Sequence, residues 1–320
     1  MQFTKPAAIA AAGAILALGL TACNNGSSSS AGGSGGGGGD IKIGLSVSTL
    51  NNPYFVQLRQ GAEAEAKKEG VKITTTDAQN DASQQVNQVQ NFASQSMKAI
   101  IINPVDSSAA APAVKAADRS KIPVIAADRG VTGATVTQTV ASDNVAGGKL
   151  AAQELGKALG GKGKVAVLQG TAGTSAARDR QQGFAEGIKA FPGIQVVAQQ
   201  PADFDRTKGL DVMTNMLQAH SDITGVFAAN DEMALGAIKA LGAKAGKQVK
   251  VVGFDGSPDG LKAVQAGTLS ADVAQQPVLL GQLAVQSAVK AAKGGKIEAT
   301  VAVPVKVATK DNVAQFTNGA

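Results

Sequence analysis

Short apolar runs alternate with longer segments of helical periodicity from residue 41 onward. The runs predict ten strands, at Ile41–Val47, Val71–Thr76, Ala99–Ile102, Val124–Ala127, Val136–Ala141, Lys164–Leu168, Ile194–Ala198, Gly225–Ala228, Val249–Gly253 and Ser270–Ala274. Repeated strand–helix alternation predicts parallel sheets covered by helices on both faces. Because ten strands exceed the usual size of one sheet, we predict two doubly wound α/β lobes of about five strands each.

The composition suits a well-buried protein of two domains. The chain has 320 residues, of which 44% are hydrophobic and 17% charged, and its net charge is +6. A net positive charge can indicate nucleic-acid binding, but the chain has no Lys/Arg block and no interleaving of basic and aromatic residues. We therefore interpret the charge as dispersed over a solvated surface and predict no nucleic-acid partner.

The first 39 residues predict export and membrane anchoring. Lys5 precedes an apolar stretch, residues 6–20, of the length found in signal peptides. The segment ends in Leu-Thr-Ala-Cys, which resembles a bacterial lipobox, and Cys23 is the only cysteine. We predict a signal peptide at 1–22, lipidation of Cys23, and a Gly/Ser-rich tether through residue 39. An ordinary secretory signal is the alternative. The protein is therefore expected outside the cytoplasm, either lipid-anchored to the outer face of the cell membrane or periplasmic.

The few aromatic rings fall in informative places. Aromatic residues make up only 3% of the chain, with nine Phe, one Tyr and no Trp. Four of these rings lie in polar loops at predicted strand ends, each beside Asn, Asp or Arg: Tyr54, Phe55, Phe204 and Phe254. Another polar pair, Asp128 and Arg129, follows a predicted buried strand. Rings that stack on C–H faces, beside groups that bond hydroxyls, indicate a site for a sugar.

No catalytic machinery is evident in the sequence. His220 is the only histidine and lies at a predicted helix end, and from residue 40 onward the chain has neither a Gly-x-Ser-x-Gly motif nor metal-ligand spacing. Residues 170–175 follow a strand but lack the Gly-Lys-Ser/Thr ending of a phosphate loop. We therefore predict a receptor without cofactor or metal. A secreted carbohydrate-active enzyme is the alternative, because spacing alone does not exclude a pair of catalytic carboxylates.

The chain resembles the type I periplasmic sugar-binding proteins of bacterial ABC importers, and their ribose-binding members in particular, from about residue 41 to 307. The resemblance rests on ordered motifs: STLNNPYF at 48–55, INP at 102–104, ADR at 127–129, ASDNVAGGK at 141–149, QGTAGTSAARDR at 169–180, QPADFDR at 200–206, ANDEMALGA at 229–237, VVGFDGSPDG at 251–260 and AQQP at 274–277. It implies two doubly wound lobes joined by a three-segment hinge. The lobes would comprise residues 40–142 plus 276–303 and residues 143–275 plus 304–320.

The resemblance also implies a set of sugar contacts. In the first lobe they are Ser48, Asn52, Tyr54, Phe55, Asp128 and Arg129, and in the second they are Arg178, Phe204, Asn230, Phe254 and Asp255, with Gln275 at the hinge. One position departs from the family, whose ribose binders usually have Phe where this chain has Tyr54. The extra hydroxyl must be hydrogen-bonded or solvated, so it bears on the sugar preference.

The function implied is that of a monomeric receptor for D-ribose or a close monosaccharide. It would bind the sugar between the lobes, close about the hinge, and deliver the sugar to an ABC permease and its ATPase. The same fold with another ligand, such as allose, galactose or a furanose, is the first alternative. A transcriptional repressor core shares the fold, but the signal segment occupies the place of a DNA-binding domain.

Overall fold

A computed structural model describes residues 41–317, so the predicted signal peptide (1–22), Cys23 and the tether (23–39) lie outside the described residues. The strands are β1 (Lys42–Val47), β2 (Lys72–Asp77), β3 (Ala99–Ile102), β4 (Val124–Ala127), β5 (Gln138–Ser142), β6 (Lys162–Gln169), β7 (Gly193–Pro201), β8 (Gly225–Ala228), β9 (Lys250–Asp255), β10 (Ala271–Ala274), β11 (Thr300–Val303) and β12 (Lys306–Thr309). The helices are α1 (Pro53–Lys68), α2 (Ala82–Ser94), α3 (Ala111–Arg119), α4 (Asn144–Ala158), α5 (Ser175–Gly187), α6 (Arg206–Ala219), α7 (Asp231–Leu241), α8 (Pro258–Ala266), α9 (Pro277–Ala292) and α10 (Ala314–Thr317). Within residues 41–317, no helix has the length and apolar character that crossing a membrane requires.

The strands form two sheets of six. The first has the order β11-β5-β4-β3-β1-β2 with all neighbours parallel, and the second has the order β12-β10-β9-β8-β6-β7 with only β12 antiparallel. The two-sheet α/β architecture is confirmed, but each sheet has six strands, one more than the five that we expected per lobe. The sequence pattern missed β11 and β12 because each has four residues, only one of them buried.

The chain passes between the two sheets three times. After β5 it enters α4, which packs on β8, β9 and β10 of the second sheet. After β10 it returns in α9, which packs on β3, β4 and β5 of the first sheet. The last passage is the short link at residues 304–305 between β11 and β12. We call the parts of the chain built on the first and second sheets the first and second lobes.

In both lobes the strand order reverses beside the first strand of the sheet, between β1 and β3 and between β6 and β8. Such reversals separate the loops at the carboxyl ends of neighbouring strands and leave a crevice where ligands bind. Residues that follow β1 and β4 in the first lobe and β8 in the second, together with the last residue of β9, line one common cleft. The fold therefore brings the two sets of strand ends together.

Two glycines let α1 and α9 cross at very close range. A β-carbon at Gly61 would lie 2.1 Å from the carbonyl oxygen of Val278, and one at Gly281 would lie 2.1 Å from that of Leu58. Both obstacles are backbone atoms, so neither helix can make room by changing a rotamer. Because α1 begins at the cleft and α9 begins at a passage between the lobes, this crossing anchors both to the first sheet.

We expect Gly61→Ala to destabilise the protein by about 1–3 kcal/mol, the usual cost of overpacking. The higher helix propensity of Ala offsets only part of that loss. Urea unfolding measures the change, with Gln60→Ala on the exposed side of the same helix as the control, expected within about 0.5 kcal/mol of the parent. Equal stability of Gly61→Ala and Gln60→Ala would contradict the close crossing.

Candidate functional site

The cleft between the lobes is small and polar. It is lined by Asn52, Tyr54, Phe55, Asp128, Arg129, Ala176, Arg180, Phe204, Asn230, Asp255 and Gln275, and the space between these side chains is about 250 Å³, including the part that is open to solvent. Its four charged side chains, Asp128, Arg129, Arg180 and Asp255, are buried. The cleft therefore suits a small ligand that is rich in hydrogen-bonding groups.

Guanidinium groups and aromatic rings are interleaved from one lobe to the other. The Arg129 guanidinium lies 5.1 Å from the ring centre of Phe55 and 5.6 Å from that of Phe204. The Arg180 guanidinium lies 5.6 Å from the same Phe204 ring and 3.8 Å from the ring of Phe254. Cation–π attraction strengthens when the partners are desolvated, and both guanidiniums are almost fully buried. The series Phe55, Arg129, Phe204, Arg180 and Phe254 gives the cleft a rigid wall.

Hydrogen bonds to the protein fix both arginines in place. Arg129 donates from Nη1 to the carbonyl oxygen of Pro104 at 2.9 Å. Arg180 donates from Nε to Asn144 Oδ1 at 2.9 Å and from Nη1 to the carbonyl oxygen of Ala229 at 2.7 Å. Each guanidinium carries five donors, so within the described residues each retains Nη2 hydrogens without a protein partner. These donors suit ligand hydroxyl oxygens.

An aspartate accompanies each arginine. Asp128 Oδ2 lies 3.6 Å from Arg129 Nε, and Asp255 Oδ1 lies 3.6 Å from Arg180 Nη1. Asp255 Oδ1 also accepts from Gln275 Nε2 at 2.7 Å. Burial raises the pKa of Asp255 well above its ordinary value, although the positive charge of Arg180 acts in the opposite direction. A ligand hydroxyl that donates to this carboxyl group would favour its ionised form.

Helix caps orient the two asparagines of the cleft. Asn52 Oδ1 accepts from the Tyr54 amide at 2.9 Å at the start of α1, where Pro53 occupies the first helical position. Asn230 Oδ1 accepts from the Met233 amide at 3.0 Å at the start of α7. A capping oxygen leaves the amide nitrogen of the same side chain available for other bonds. Asn230 Nδ2 donates one hydrogen to the Phe204 carbonyl oxygen at 3.4 Å, so it retains one hydrogen that a cleft ligand could use.

Three cleft residues have backbone conformations that L-residues rarely adopt. Asp128, Phe204 and Asp255 have φ values of 66°, 58° and 136°. A non-glycine residue in such a region costs of order 1–3 kcal/mol, and such residues cluster at functional sites. The surrounding structure holds these three side chains toward the cleft at the expense of local backbone strain.

The lobes also touch at the rim of the cleft. The Ser107 amide donates to the Gly173 carbonyl oxygen at 3.1 Å, and the Ser175 amide donates to Ser107 Oγ at 3.1 Å. The Gly130 amide donates to Ser175 Oγ at 2.8 Å. We call these three bonds the rim contacts. Each joins a loop of the first lobe to the start of α5 in the second.

The structure brings nine of the twelve predicted site residues to the cleft wall, and the other three lie elsewhere. Ser48 is buried beneath the wall, where its amide donates to Asn103 Oδ1 at 3.1 Å. Phe254 is fully buried behind Arg180. Arg178 lies outside the cleft: its side chain is 60% exposed and pairs with Asp179 at 3.3 Å.

The prediction that Arg178 lines the cleft is corrected: the arginine in the cleft wall is Arg180, two positions further along α5. Successive residues of an α-helix are rotated by about 100°, so positions two apart lie on nearly opposite faces. Arg180 shares the buried face of α5 with Ala176 and Phe184, at helical spacing. That spacing is visible in the sequence and could have identified Arg180. Ala176 was also missed, as was Asn103, whose Nδ2 donates to Asp128 Oδ2 at 3.1 Å.

A two-lobe α/β fold with a small polar cleft enclosed between the lobes defines a solute-binding protein. A family model described as a periplasmic binding protein domain matches residues 43–296. The chain is 49% identical over 271 residues to the ribose import binding protein of Bacillus subtilis strain 168, covering 85% of this chain and 88% of that protein. The Escherichia coli K12 ribose import binding protein is also 49% identical, over 268 residues, covering 84% and 90%.

The fold has solved counterparts among sugar-binding proteins. An ABC transporter solute-binding protein of Bacillus halodurans C-125, solved with bound myo-inositol, superposes with a TM-score of 0.83 at 36% identity, covering 88% of this chain and 99% of that one. The chain therefore belongs to the periplasmic binding protein family, and its type I fold is confirmed.

Two carboxyl groups lie buried together behind Asp255. Asp231 Oδ2 accepts from the Ser257 amide at 2.8 Å, and Asp272 Oδ1 accepts from the Gly256 amide at 3.2 Å. Among the described residues, the other oxygen of each carboxyl group has no donor. Burial raises the pKa of Asp231, and it raises the pKa of Asp272 to about 7. Burial therefore favours the protonated form of both carboxyl groups, and through their bonds to the Ser257 and Gly256 amides they hold the turn that follows Asp255.

This pair should make the protein less stable as the pH rises. A carboxyl group whose pKa is raised on folding holds its proton in the folded state, so its stabilising contribution is complete below the unfolded pKa of about 4. That contribution is lost as the pH rises through about 7. We expect Asp272→Asn, whose amide can donate permanently to Asp231, to gain about 1–3 kcal/mol over the parent at pH 8 and to differ little at pH 4.

Urea unfolding at pH 4 and pH 8 measures this difference. Asp211→Asn removes an exposed carboxylate instead and is the control. Identical pH profiles for Asp272→Asn and Asp211→Asn would contradict a raised pKa of Asp272 in the folded protein.

Proposed function

We propose that this chain is the substrate-binding protein of an ABC sugar importer and that it holds D-ribose, or a close monosaccharide, between its lobes. The interleaved guanidiniums and rings, with an aspartate beside each arginine, carry this proposal. A monosaccharide presents apolar C–H faces to rings and hydroxyl groups to charged donors and acceptors. The 49% identity to two ribose import binding proteins supports D-ribose as the ligand.

Binding would close the two lobes around the sugar. The three passages between the sheets act as the hinge, with residues 40–142 plus 276–303 moving against residues 143–275 plus 304–320. A sugar that bonds to Arg129 in one lobe and Arg180 in the other has more contacts in the closed arrangement, so it shifts the equilibrium toward closure. Closure also forms the rim contacts, which lie outside the sugar's reach and add to the closed state's stability.

The proposal also includes a location and partners for the protein. Periplasmic binding proteins of ABC importers work outside the cytoplasm. A lipid on Cys23 would hold the protein to the outer face of the membrane, and the tether would let it meet the permease and its ATPase. The proposed function is binding and delivery by a monomer, without catalysis.

A different small ligand of the same chemistry is the second candidate, because the Bacillus halodurans relative was solved with myo-inositol. A thermal-shift panel of D-ribose, D-allose, D-galactose, L-arabinose and myo-inositol separates the candidates. A ligand whose Kd lies below its concentration raises the unfolding temperature, whereas a non-ligand does not. We expect the largest shift with D-ribose and recovery of the sugar unchanged. Turnover of a sugar or glycoside would contradict a pure binding function.

The two neighbouring arginines of α5 give a matched test of the site. Arg180→Lys keeps the charge but loses the planar fork that bonds Asn144 and Ala229. We expect its affinity for D-ribose in titration calorimetry to fall about 10- to 100-fold, corresponding to about 1.5–3 kcal/mol for bonds made by charged groups. Arg178→Lys, the same change on the exposed face, should stay within about twofold, because exposed ion pairs contribute little. A larger loss of affinity in Arg178→Lys than in Arg180→Lys would show that Arg178, and not Arg180, contacts the sugar.

A further inference from the structure

Asn103 is a fully buried residue that lies behind the wall of the cleft. It follows β3, which is the strand between β1 and β4 in the first sheet. Its Nδ2 donates to the carbonyl oxygen of Ala127 at 3.2 Å and to Asp128 Oδ2 at 3.1 Å, while its Oδ1 accepts from the Ser48 amide at 3.1 Å. Both hydrogens of the side-chain amide are therefore used, and one side chain joins the ends of three neighbouring strands.

These bonds orient a carboxyl group on a strained stretch of backbone. Asp128 has a φ of 66°, which residues other than glycine rarely adopt. Its amide donates to the carbonyl oxygen of Val140 at 2.7 Å, a bond that holds the backbone but leaves the carboxyl group free to rotate. The bond from Asn103 fixes Oδ2 on the buried side, so Oδ1 is the oxygen at the cleft wall, where the Tyr54 hydroxyl donates to it at 2.8 Å.

The turn that begins at Asn103 also holds the neighbouring arginine. The carbonyl oxygen of Pro104 accepts from Arg129 Nη1 at 2.9 Å. Gln85, a buried residue of α2, bonds to both sides of this turn: its Nε2 donates to the Asn103 carbonyl oxygen at 2.9 Å, and its Oε1 accepts from the Val105 amide at 2.8 Å. Because α2 fixes the backbone of the turn, the position of the arginine depends on the same element as that of the aspartate.

We propose that Asn103 is a positioning residue for sugar binding, which acts by orienting the carboxyl group of Asp128 and does not itself line the cleft. This inference rests on the proposed function and assigns a role in binding to the INP motif at 102–104. Groups that bind a ligand must be held in their productive geometry by supporting hydrogen bonds. Loss of the hydrogen that Asn103 donates to Asp128 should therefore weaken sugar binding.

Asn103→Asp isolates this hydrogen. The variant keeps the size of the side chain and an oxygen for the Ser48 amide, but an ionised carboxyl group has no hydrogen to donate. Two buried carboxylates in hydrogen-bond range repel each other, so the pKa of the pair is raised and the two groups share a proton at low pH. That proton would restore the bond to Asp128 Oδ2. The defect in binding should therefore be present at high pH and reduced at low pH.

The other ionisable groups around Asp128 determine how the measurement is compared. Arg129 Nε lies 3.6 Å from the same Oδ2, and its charge opposes the rise in the pKa of the carboxyl pair. Burial raises the pKa of the Tyr54 phenol well above its ordinary value, so the phenol stays protonated at pH 8. Burial also raises the pKa of Asp255 across the cleft. Because Asp255 titrates in the parent too, the dissociation constant of each variant is divided by that of the parent at the same pH.

Titration calorimetry at pH 5 and pH 8 tests the proposal, with the sugar that gives the largest thermal shift, expected to be D-ribose. For Asn103→Asp we expect the variant-to-parent ratio of dissociation constants to be at least about fivefold greater at pH 8 than at pH 5, because one proton governs the bond. Asn87→Asp makes the same change at an exposed position of α2 and is the control, with a ratio within about twofold of one at both pH values. A smaller difference for Asn103→Asp, or an equal one in the control, overturns the proposal.

Asn103→Ala takes the place of Asn103→Asp if thermal unfolding shows that the sugar-free aspartate variant is not folded. It removes the same hydrogens without adding a charge, so its dissociation constant should exceed that of the parent by at least about fivefold at both pH values. A smaller increase in the folded protein overturns the proposal. A folded parent that binds no sugar of the thermal-shift panel refutes the proposed function itself, a result distinct from unchanged affinity in a variant of a parent that binds.

Discussion

The burial of two arginines and two aspartates in one small cleft is the constraint on which the site depends. Removing such ions from water costs several kcal/mol each, even after relaxation. Asp128 lies beside Arg129 and Asp255 beside Arg180, and the faces of the Phe55, Phe204 and Phe254 rings attract the two guanidiniums. The distance of 3.6 Å within each pair is too long for a hydrogen bond, so a ligand rich in hydroxyl groups would supply bonds that the pairs lack.

Several parts of the fold position the side chains of the cleft. Parallel strands in both sheets deliver their carboxyl ends to one crevice. Capping bonds fix Asn52 and Asn230, and left-handed backbone at Asp128 and Phe204 directs those side chains. Behind the second lobe's wall, Asp231 and Asp272 hold the turn after Asp255. The geometry of the cleft therefore also depends on groups that do not line it, such as Asp231 and Asp272.

Much of this could be predicted from the sequence, because strand–helix alternation and rings beside strand-end polar residues are local signals. Tyr54, Phe55, Phe204 and the Asp128–Arg129 pair were identified that way. Arg178 was predicted to line the cleft because a motif match identifies a segment of the chain but does not show which residues of its helix face inward. The buried face of α5 through Ala176 and Phe184 shows that Arg180 is the arginine that faces inward. The Asp231–Asp272 pair joins residues 41 positions apart and has no local signature. The hydrogen bond from the Tyr54 hydroxyl to Asp128 Oδ1, at 2.8 Å, likewise depends on tertiary packing.

The central claim is that a sugar closes the two lobes upon each other, and hydrogen exchange at the rim contacts tests it most directly. The Gly130 and Ser175 amides bond across the lobes but lie outside the cleft-lining set. Their protection therefore reports closure rather than contact with the ligand. Addition of saturating D-ribose to the sugar-free protein should slow exchange at both amides. Binding of D-ribose in calorimetry with unchanged exchange at Gly130 and Ser175 would contradict closure around the sugar.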